Sequence, residues 1–136
     1  MSSFVPTSAA FAFSEQYPAR IGVDPEPFDR PRVITLCGST RFMKEFEDAN
    51  RRLTLDGNVV FSVATKAHEG STEVLPEQKK LLDRVHFEKI RLSDEIFVIN
   101  VGNYIGPSTQ REIEYAQRIG RTVRYLVPQV GGLLPK

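Results

Sequence analysis

A chain of 136 residues with 40% hydrophobic and 26% charged side chains has the composition of one globular domain. A domain of this size buries roughly two-thirds of the surface that its unfolded form exposes. The formal net charge of +1 argues against a binder of nucleic-acid polymers or membrane surfaces, because such proteins usually carry a clear basic excess.

Neither a membrane span nor a signal peptide is apparent. No apolar run approaches the ~18 residues of a membrane span. The opening MSSFVPTSAAFAF has no Lys or Arg ahead of its apolar residues, so it is a poor signal peptide. The single Cys37 cannot form an internal disulfide, which suits a reducing compartment, and we expect a cytoplasmic protein.

Residues 1–31 are expected to form an extended N-terminal arm rather than part of the core. Five prolines interrupt the segment, and no helical or strand period persists for more than a few residues. The segment is nevertheless rich in aromatic residues: Phe4, Phe11, Phe13, Tyr17 and Phe28. The arm therefore either wraps its own domain or a neighbouring subunit, or is simply loose, and its aromatic content favours docking.

From Arg32 onward, strand and helix patterns alternate along the chain. Apolar runs rich in β-branched residues predict four buried strands, at 32–37, 58–64, 94–101 and 122–127. Apolar residues at helical spacing predict three helices: from Phe42 to before Gly57, from Pro76 to near Ser93, and from Ser108 or Thr109 to Gly120. Residues 128–136 are expected to form a C-terminal tail.

This order predicts a small doubly wound α/β domain, Rossmann-like or flavodoxin-like, over residues 32–127. Its parallel sheet of four to five strands should have right-handed crossovers and helices on both faces. With strand order 2-1-3-4, ligands should bind between strands 1 and 3, outside their carboxyl ends, where the strand order reverses. The turns that meet there, CGSTR at 37–41 and GNYIGPST at 102–109, are also the richest in glycine and hydroxyl residues. Together they predict a ligand cleft.

The first of these turns, Gly38-Ser39-Thr40-Arg41, has the composition of an anion site. Backbone N–H groups at a helix start, two hydroxyls and a guanidinium together suit a phosphate group. Neither the Walker pattern nor the dinucleotide pattern G-x-G-x-x-G is present. The alternative is an ordinary N-cap serine or threonine beside a surface arginine.

The second turn leads into Thr109-Gln110-Arg111-Glu112. The T-x-x-E spacing is that of a capping box, in which Glu112 merely reaches back to the Thr109 backbone N–H. The alternative is a carboxylate held at the mouth of the cleft, where it could attack or orient a ligand. Glu114 should face another direction and be solvated, so the two residues do not form the carboxylate pair of many glycosidases.

The two histidines give weaker indications. His86 lies in a row with Leu82 and Ile90 that should press on the sheet, so it is either a hydrogen-bonded core residue or a cleft residue. His68, in the polar connection before Pro76, has no visible partner. The sequence has no H-x-x-x-H or C-x-x-C spacing, so it predicts no metal site, and it has no G-x-S-x-G elbow of a serine hydrolase.

The succession VITLCGSTRF…DEIFVINVGNYIGPSTQREIEYAQRIGRTVRYL resembles the nucleoside 2-deoxyribosyltransferase-like superfamily over residues 32–127. The resemblance implies a small parallel α/β fold that assembles as homodimers or larger homo-oligomers with shared sites. It also implies cleavage of the N-glycosidic bond of nucleosides or nucleotides by a glutamate nucleophile. The family pattern, close to G-x-x-x-E-L-G-Y-A, falls on REIEYA. Glu112 then takes the place of the nucleophile, Tyr115 and Ala116 are in register, and Glu114 replaces the usual glycine.

Within this superfamily, the CGSTR turn is most similar to the branch that hydrolyses nucleoside 5′-monophosphates. In that branch a C-G-S-x-R turn holds the phosphate, and Ser39 and Arg41 match it directly. The chain departs from the family at two positions. His86 stands where an aspartate commonly precedes the third-strand aspartate by eight residues, and Thr35 stands where a first-strand tyrosine is common.

The predicted activity is hydrolysis of a nucleoside 5′-monophosphate, with no metal or other cofactor. Glu112 would attack the anomeric carbon, and His86, with a pKa near neutrality, would protonate or stabilise the leaving base. The predicted substrate- and phosphate-binding residues are Gly38, Ser39, Thr40, Arg41, Gly102, Asn103, Ser108 and Thr109. Two alternatives remain open. The phosphate turn counts against a base-exchanging deoxyribosyltransferase, and the departures at His86 and Thr35 favour a non-catalytic nucleotide-binding sensor.

Overall fold

A computed structural model of the protein describes residues 30–63 and 74–129. The predicted arm up to residue 29, the loop with His68 and the tail beyond Gln129 lie outside the described residues. The strands are β1 (Val33–Gly38), β2 (Val59–Phe61), β3 (Glu95–Ile99) and β4 (Thr122–Tyr125), and the helices are α1 (Met43–Leu55), α2 (Pro76–Leu92) and α3 (Pro107–Arg118). Short 3₁₀ turns at Thr40–Phe42 and Val101–Asn103 follow β1 and β3. In the two described ranges, no helix is both long enough and apolar enough to cross a membrane.

The four strands form one parallel sheet in the order β2-β1-β3-β4, which confirms the predicted α/β fold and strand order. The central strands β1 and β3 pair from Ile34 opposite Glu95 to Gly38 opposite Ile99. Central strands of a parallel sheet are buried on both faces, so they are apolar without alternation. Strands β2, β3 and β4 are all shorter than predicted, and β2 pairs with β1 over three residues only.

Helices cover both faces of the sheet, as a doubly wound domain requires. On one face α1 packs against β1 and β3, in a core made of Ile34, Leu36, Phe46, Ala49, Leu53, Phe97 and Ile99. On the other face α2 and α3 pack together, in a core made of Cys37, Ile90, Ile96, Val98, Ile113 and Ala116. Successive strand residues point to opposite faces, so Cys37 faces α2 and α3 while Leu36 faces α1.

The start of α3 differs from the prediction. The helix begins at Pro107 rather than at Ser108 or Thr109, with Gly106 as N-cap and no side-chain capping bond. Proline suits the first helical position because its φ is already helical and its missing N–H is not needed there. The capping-box interpretation of Thr109 and Glu112 is therefore wrong. Glu112 lies in the second turn of α3, where its side chain contacts other elements.

Two residues fix the turns at the carboxyl end of the sheet. Gly38 has a φ of +153°, and a Cβ atom there would lie 2.8 Å from the Ile99 carbonyl oxygen, so only glycine lets β1 and β3 end side by side. The buried Asn100 side chain accepts a hydrogen bond from the Val127 N–H (2.8 Å) and donates one to the Val127 carbonyl (3.0 Å). This pair of bonds ties the chain after β3 to the chain after β4.

Candidate active site

A cavity of about 350 Å³ lies at the point where the strand order reverses. Its walls come from the turns after β1 and β3, the first half of α3 and one side of α2. The volume is within the range of small-molecule sites, and the position is the one that the strand order predicts for ligand binding.

The structure brings most of the predicted site residues to this cavity. The lining includes both predicted catalytic residues, Glu112 and His86, and five predicted binding residues: Gly38, Ser39, Thr40, Ser108 and Thr109. Ser39 is also an N-cap residue, which was the alternative interpretation of this turn. Its Oγ accepts a hydrogen bond from the Arg41 backbone N–H (3.3 Å), so it caps the 3₁₀ turn while it faces the cavity.

Three predicted binding residues, Arg41, Gly102 and Asn103, are not part of the lining. The Arg41 guanidinium lies 4.5 Å from the centre of the Tyr104 ring, a cation–π distance, and Tyr104 itself lines the cavity. Gly102 and Asn103 belong to the 3₁₀ turn after β3 and have φ values of +61° and +64°. Asn103 also accepts a hydrogen bond from Asn100 (3.2 Å). Both residues shape the turn rather than face the cavity.

α2 contributes charged residues to the lining that the sequence analysis did not identify. Lys79, Asp83 and Lys89 line the cavity on the same side as His86. Lys79 and Asp83 form an ion pair of 2.9 Å, and the Lys89 Nζ donates to the Ser62 carbonyl (2.6 Å). The spacing of positions 79, 83, 86 and 89 could have indicated that these side chains lie on the same helix face as His86, because residues three and four apart share a face. An apolar row on the same helix predicted core packing instead.

Where the cavity meets the sheet, three ionisable side chains from three elements converge. The Glu112 Oε1 lies 3.7 Å from the His86 Nε2, and that nitrogen lies 3.5 Å from the Cys37 Sγ. The side chains of His86 and Glu112 are 9% and 14% exposed, and Cys37 is fully buried. The three ligand-type atoms all lie within 4.8 Å of one another, so they could hold a metal ion. Motif spacing did not reveal this cluster, because its members are far apart in the sequence.

Burial sets the protonation states in this cluster. It raises the pKa of Glu112 to about 7, because the carboxylate would be poorly solvated, and the negative charge of Asp83 adds to the shift. Burial lowers the pKa of His86 to about 4, and the positive charge of Lys89 acts in the same direction. The pKa of the Cys37 thiol is raised by burial and by Glu112. At pH 7 the His86 imidazole is therefore neutral, and Glu112 is divided between the carboxylic acid and the carboxylate. Because the pKa of His86 is about 4, the predicted pKa near neutrality is wrong for the protein without ligand.

Comparisons with known proteins give no relative: no protein-family model, no curated protein and no solved structure matches the chain.

Proposed function

We propose that the protein hydrolyses the N-glycosidic bond of a nucleoside 5′-monophosphate, as its resemblance to the nucleoside 2-deoxyribosyltransferase-like superfamily implies. The position of Glu112 carries the proposal. Its carboxyl group is mostly buried beside His86 and lines the same cavity as the Gly38–Thr40 turn. A carboxylate nucleophile and a hydroxyl-rich turn, joined in one cavity of suitable size, are the parts that cleavage of a nucleotide requires.

The phosphate group would bind between the first turn and α2. The hydroxyls of Ser39 and Thr40 line the cavity on one side, and Lys79 and Lys89 bring positive charge on the other. Charge-assisted hydrogen bonds of this kind hold phosphate strongly. Binding energy from the phosphate would then place the anomeric carbon near Glu112.

In the first chemical step the Glu112 carboxylate attacks the anomeric carbon as the bond to the base breaks. The transition state resembles an oxocarbenium ion, and the product is a glycosyl ester of Glu112. The departing base keeps the bonding electron pair and needs a hydrogen-bond donor or a proton. His86 can supply the hydrogen bond when neutral, and the negative charge of a bound phosphate would raise its pKa toward the protonated form.

In the second step water hydrolyses the glycosyl ester and restores the Glu112 carboxylate. A base near the ester must take a proton from that water. Among the described residues, Asp83 is the other carboxylate of the cavity lining; it pairs with Lys79 (2.9 Å), and its negative charge contributes to the raised pKa of Glu112. We assign it the role of this base.

The experiment is an incubation with a panel of nucleoside 5′-monophosphates and the matching nucleosides, with chromatography for the free base. The wild-type protein should release base from at least one nucleotide, and Glu112→Gln should slow that release by about a thousandfold or more. Glu114→Gln is the matched control, because Glu114 is exposed on the same helix and bonds to Gln110. Equal rates for Glu112→Gln and the wild type would contradict the proposal.

A nucleotide-binding sensor without turnover is the second candidate. It is favoured by the pKa of His86, because a histidine with a pKa of about 4 is not a proton donor at pH 7. Thr35, where the family commonly has a tyrosine, is buried and donates to the Lys89 carbonyl (3.1 Å). A sensor would bind a nucleotide in calorimetry and release no base. A base-exchanging transferase would instead transfer the sugar to an added free base.

A further inference from the structure

We propose that Cys37, His86 and Glu112 form a binding site for one Zn²⁺ ion, and that the bound ion prevents catalysis by Glu112. The three side chains come from the carboxyl end of β1, the middle of α2 and the second turn of α3. Metal binding goes beyond the proposed function and does not depend on it. Only the inhibitory consequence rests on the proposed hydrolysis.

The two measured distances between the donor atoms are close to those around a tetrahedral ion. Zinc bonds of about 2.3 Å to sulfur and about 2.0–2.1 Å to nitrogen or oxygen place neighbouring donors about 3.3–3.6 Å apart at tetrahedral angles. The Cys37 Sγ and the His86 Nε2 are 3.5 Å apart, and the same nitrogen is 3.7 Å from the Glu112 Oε1. All three atoms lie within 4.8 Å of one another. Completing the site requires the Glu112 carboxylate to move closer to the His86 nitrogen.

The chemistry of the donors favours Zn²⁺ over Mg²⁺ and Ca²⁺. A thiolate and an imidazole suit Zn²⁺, whereas Mg²⁺ and Ca²⁺ prefer oxygen ligands alone. One thiolate and one carboxylate also balance the charge of a divalent ion, so the buried complex is neutral. Without an ion, burial opposes ionisation of both acids, as the raised pKa values of Cys37 and Glu112 show. Binding would therefore displace the Cys37 thiol proton and any proton on Glu112 to solvent.

The cavity provides both the entry path and the fourth coordination position. His86 and Glu112 line it, so an ion between them and Cys37 would face the cavity on its remaining side. A water molecule would complete the tetrahedron there, as in zinc sites with three protein ligands. In this state the Glu112 carboxylate is bound to the metal and is not available to attack an anomeric carbon.

The test uses Co²⁺ as a coloured substitute for Zn²⁺, added to the full-length, reduced protein after chelation and buffer exchange. Cys37 is the only cysteine of the chain, so a thiolate-to-cobalt charge-transfer band can arise from no other residue. We expect that band and intense tetrahedral visible bands to saturate at one Co²⁺ per chain, and Zn²⁺ to abolish them. Absence of the charge-transfer band from the wild-type protein overturns the proposal without reference to any variant.

Variants then identify the other two ligands. Cys37→Ser should lose the charge-transfer band, and His86→Gln and Glu112→Gln should each weaken Co²⁺ binding at least about tenfold. Glu114→Gln, the matched control on the exposed face of α3, should bind Co²⁺ like the wild type. A band that keeps its affinity in both His86→Gln and Glu112→Gln would show adventitious binding at Cys37 and overturn the site.

The two proposals fail in different ways. If no nucleotide is hydrolysed, the cobalt spectrum still decides the metal site. If hydrolysis occurs, stoichiometric Zn²⁺ should inhibit it, a chelator should restore it, and Cys37→Ser should be less sensitive to Zn²⁺ relative to its own metal-free rate. Zinc binding that leaves hydrolysis unchanged would overturn the inference that the bound ion prevents catalysis by Glu112. Loss of hydrolysis on chelation would overturn the metal-free role of Glu112 and leave the metal site standing.

Discussion

The buried carboxyl group of Glu112 couples the stability of the metal-free protein to pH. Its pKa is about 7 in the folded protein and near the ordinary 4.5 in the unfolded chain. As pH rises, the unfolded chain loses this proton first, so the contribution of Glu112 to stability is complete below pH 4.5 and is lost as pH rises through about 7. The difference between the two pKa values corresponds to about 3 kcal/mol.

Replacing this carboxyl group should therefore stabilise the protein on the alkaline side. We predict that Glu112→Gln raises the free energy of unfolding at pH 8 by up to about 3 kcal/mol, and that most of this gain disappears by pH 4.5. Urea denaturation in the presence of a chelator measures both values. Glu114→Gln should show no such dependence on pH. A Glu112→Gln protein without added stability at pH 8 would mean that the wild-type carboxylate is well solvated.

His86 acts on stability in the opposite direction. Its pKa is lowered from 6.5 to about 4 in the folded protein, so its contribution is present above pH 6.5 and is lost as pH falls through about 4. Between pH 4.5 and 6.5 the two residues have opposing effects, and part of the pH dependence cancels. In the Glu112→Gln variant, only the loss of stability at acid pH that comes from His86 should remain.

Activity should depend on the same Glu112 proton, because only the carboxylate is a nucleophile. We predict that kcat/KM of the metal-free enzyme rises about tenfold per pH unit on the acid side and levels off above a pKa of about 7. Initial rates of base release across the pH range measure this. An unchanged rate between pH 5 and pH 8 would argue against Glu112 as the ionising nucleophile.

Single residues were predictable where a local pattern carried the information. Ser39 stood out because it directly follows a predicted strand, and Glu112 because the T-x-x-E spacing and the family resemblance both indicated it; both residues line the cavity. The start of α3 was misassigned because T-x-x-E and Gly106-Pro107 both fit a helix start, and sequence alone did not decide between them. The contact of Cys37 with His86 joins β1 to α2, so no spacing rule could reveal it.

The end of β1 depends on a glycine at position 38. We predict that Gly38→Ala lowers the free energy of unfolding by about 1–3 kcal/mol, because its Cβ would collide with the Ile99 carbonyl 2.8 Å away. The same collision would displace the first turn and weaken nucleotide binding. Chemical denaturation and calorimetry measure the two effects.

Gly102→Ala is the control for this clash. Gly102 also has a positive φ, +61°, but a Cβ atom there meets nothing within 4 Å. The Gly102→Ala variant should therefore lose only about 1 kcal/mol of the free energy of unfolding, the cost of a left-handed backbone at alanine. Its nucleotide affinity should be nearly unchanged. Equal losses of nucleotide affinity in the two variants would show that the turn does not depend on close packing of β1 and β3.

The strands and helices were predictable in order and type but less so in length. Apart from Thr35 and Glu95, the central strands are apolar because both faces are buried, and these apolar runs identify them in the sequence. Strand β2 covers three residues of the predicted 58–64, because its length depends on the pairing Val33–Thr35 with Val59–Phe61. Strand pairing depends on the whole sheet, so the sequence could predict where the edge strands lie but not how long they are.

At the scale of the whole molecule, the ion pairs of Asp94 and Glu95 lie at the opposite end of the sheet from the cavity, whereas the Lys79–Asp83 pair lines it. At the amino end of the sheet, Glu95 is nearly fully buried and pairs with Arg32 and Arg124, and Asp94 pairs with Arg30. The cavity lies at the carboxyl end of β1 and β3. Composition shows no clear basic excess in total, and it could not predict the lysines of the cavity lining.

Self-association, which the resemblance implies, has a candidate surface on α2. Leu81, Val85 and Leu92 are 56%, 42% and 55% exposed in the described structure. Their spacing of four and seven residues places them on one side of the helix. Val85 also lines the cavity, so a second copy on this surface would lie next to the cavity mouth. We propose a homodimer that contacts through α2.

Light scattering at several concentrations tests this assembly. The wild-type protein should have twice the 15.4 kDa mass of one chain, and Leu81→Glu should shift it toward the monomer because a carboxylate would be buried at the contact. Leu55→Glu is the matched control, since Leu55 is 59% exposed but lies at the end of α1, on the opposite face of the sheet. A wild-type mass of one chain at every concentration would contradict the dimer, and all catalytic groups would then have to come from a single chain. A dimer that survives Leu81→Glu but dissociates with Leu55→Glu would move the contact to the α1 face, away from the cavity.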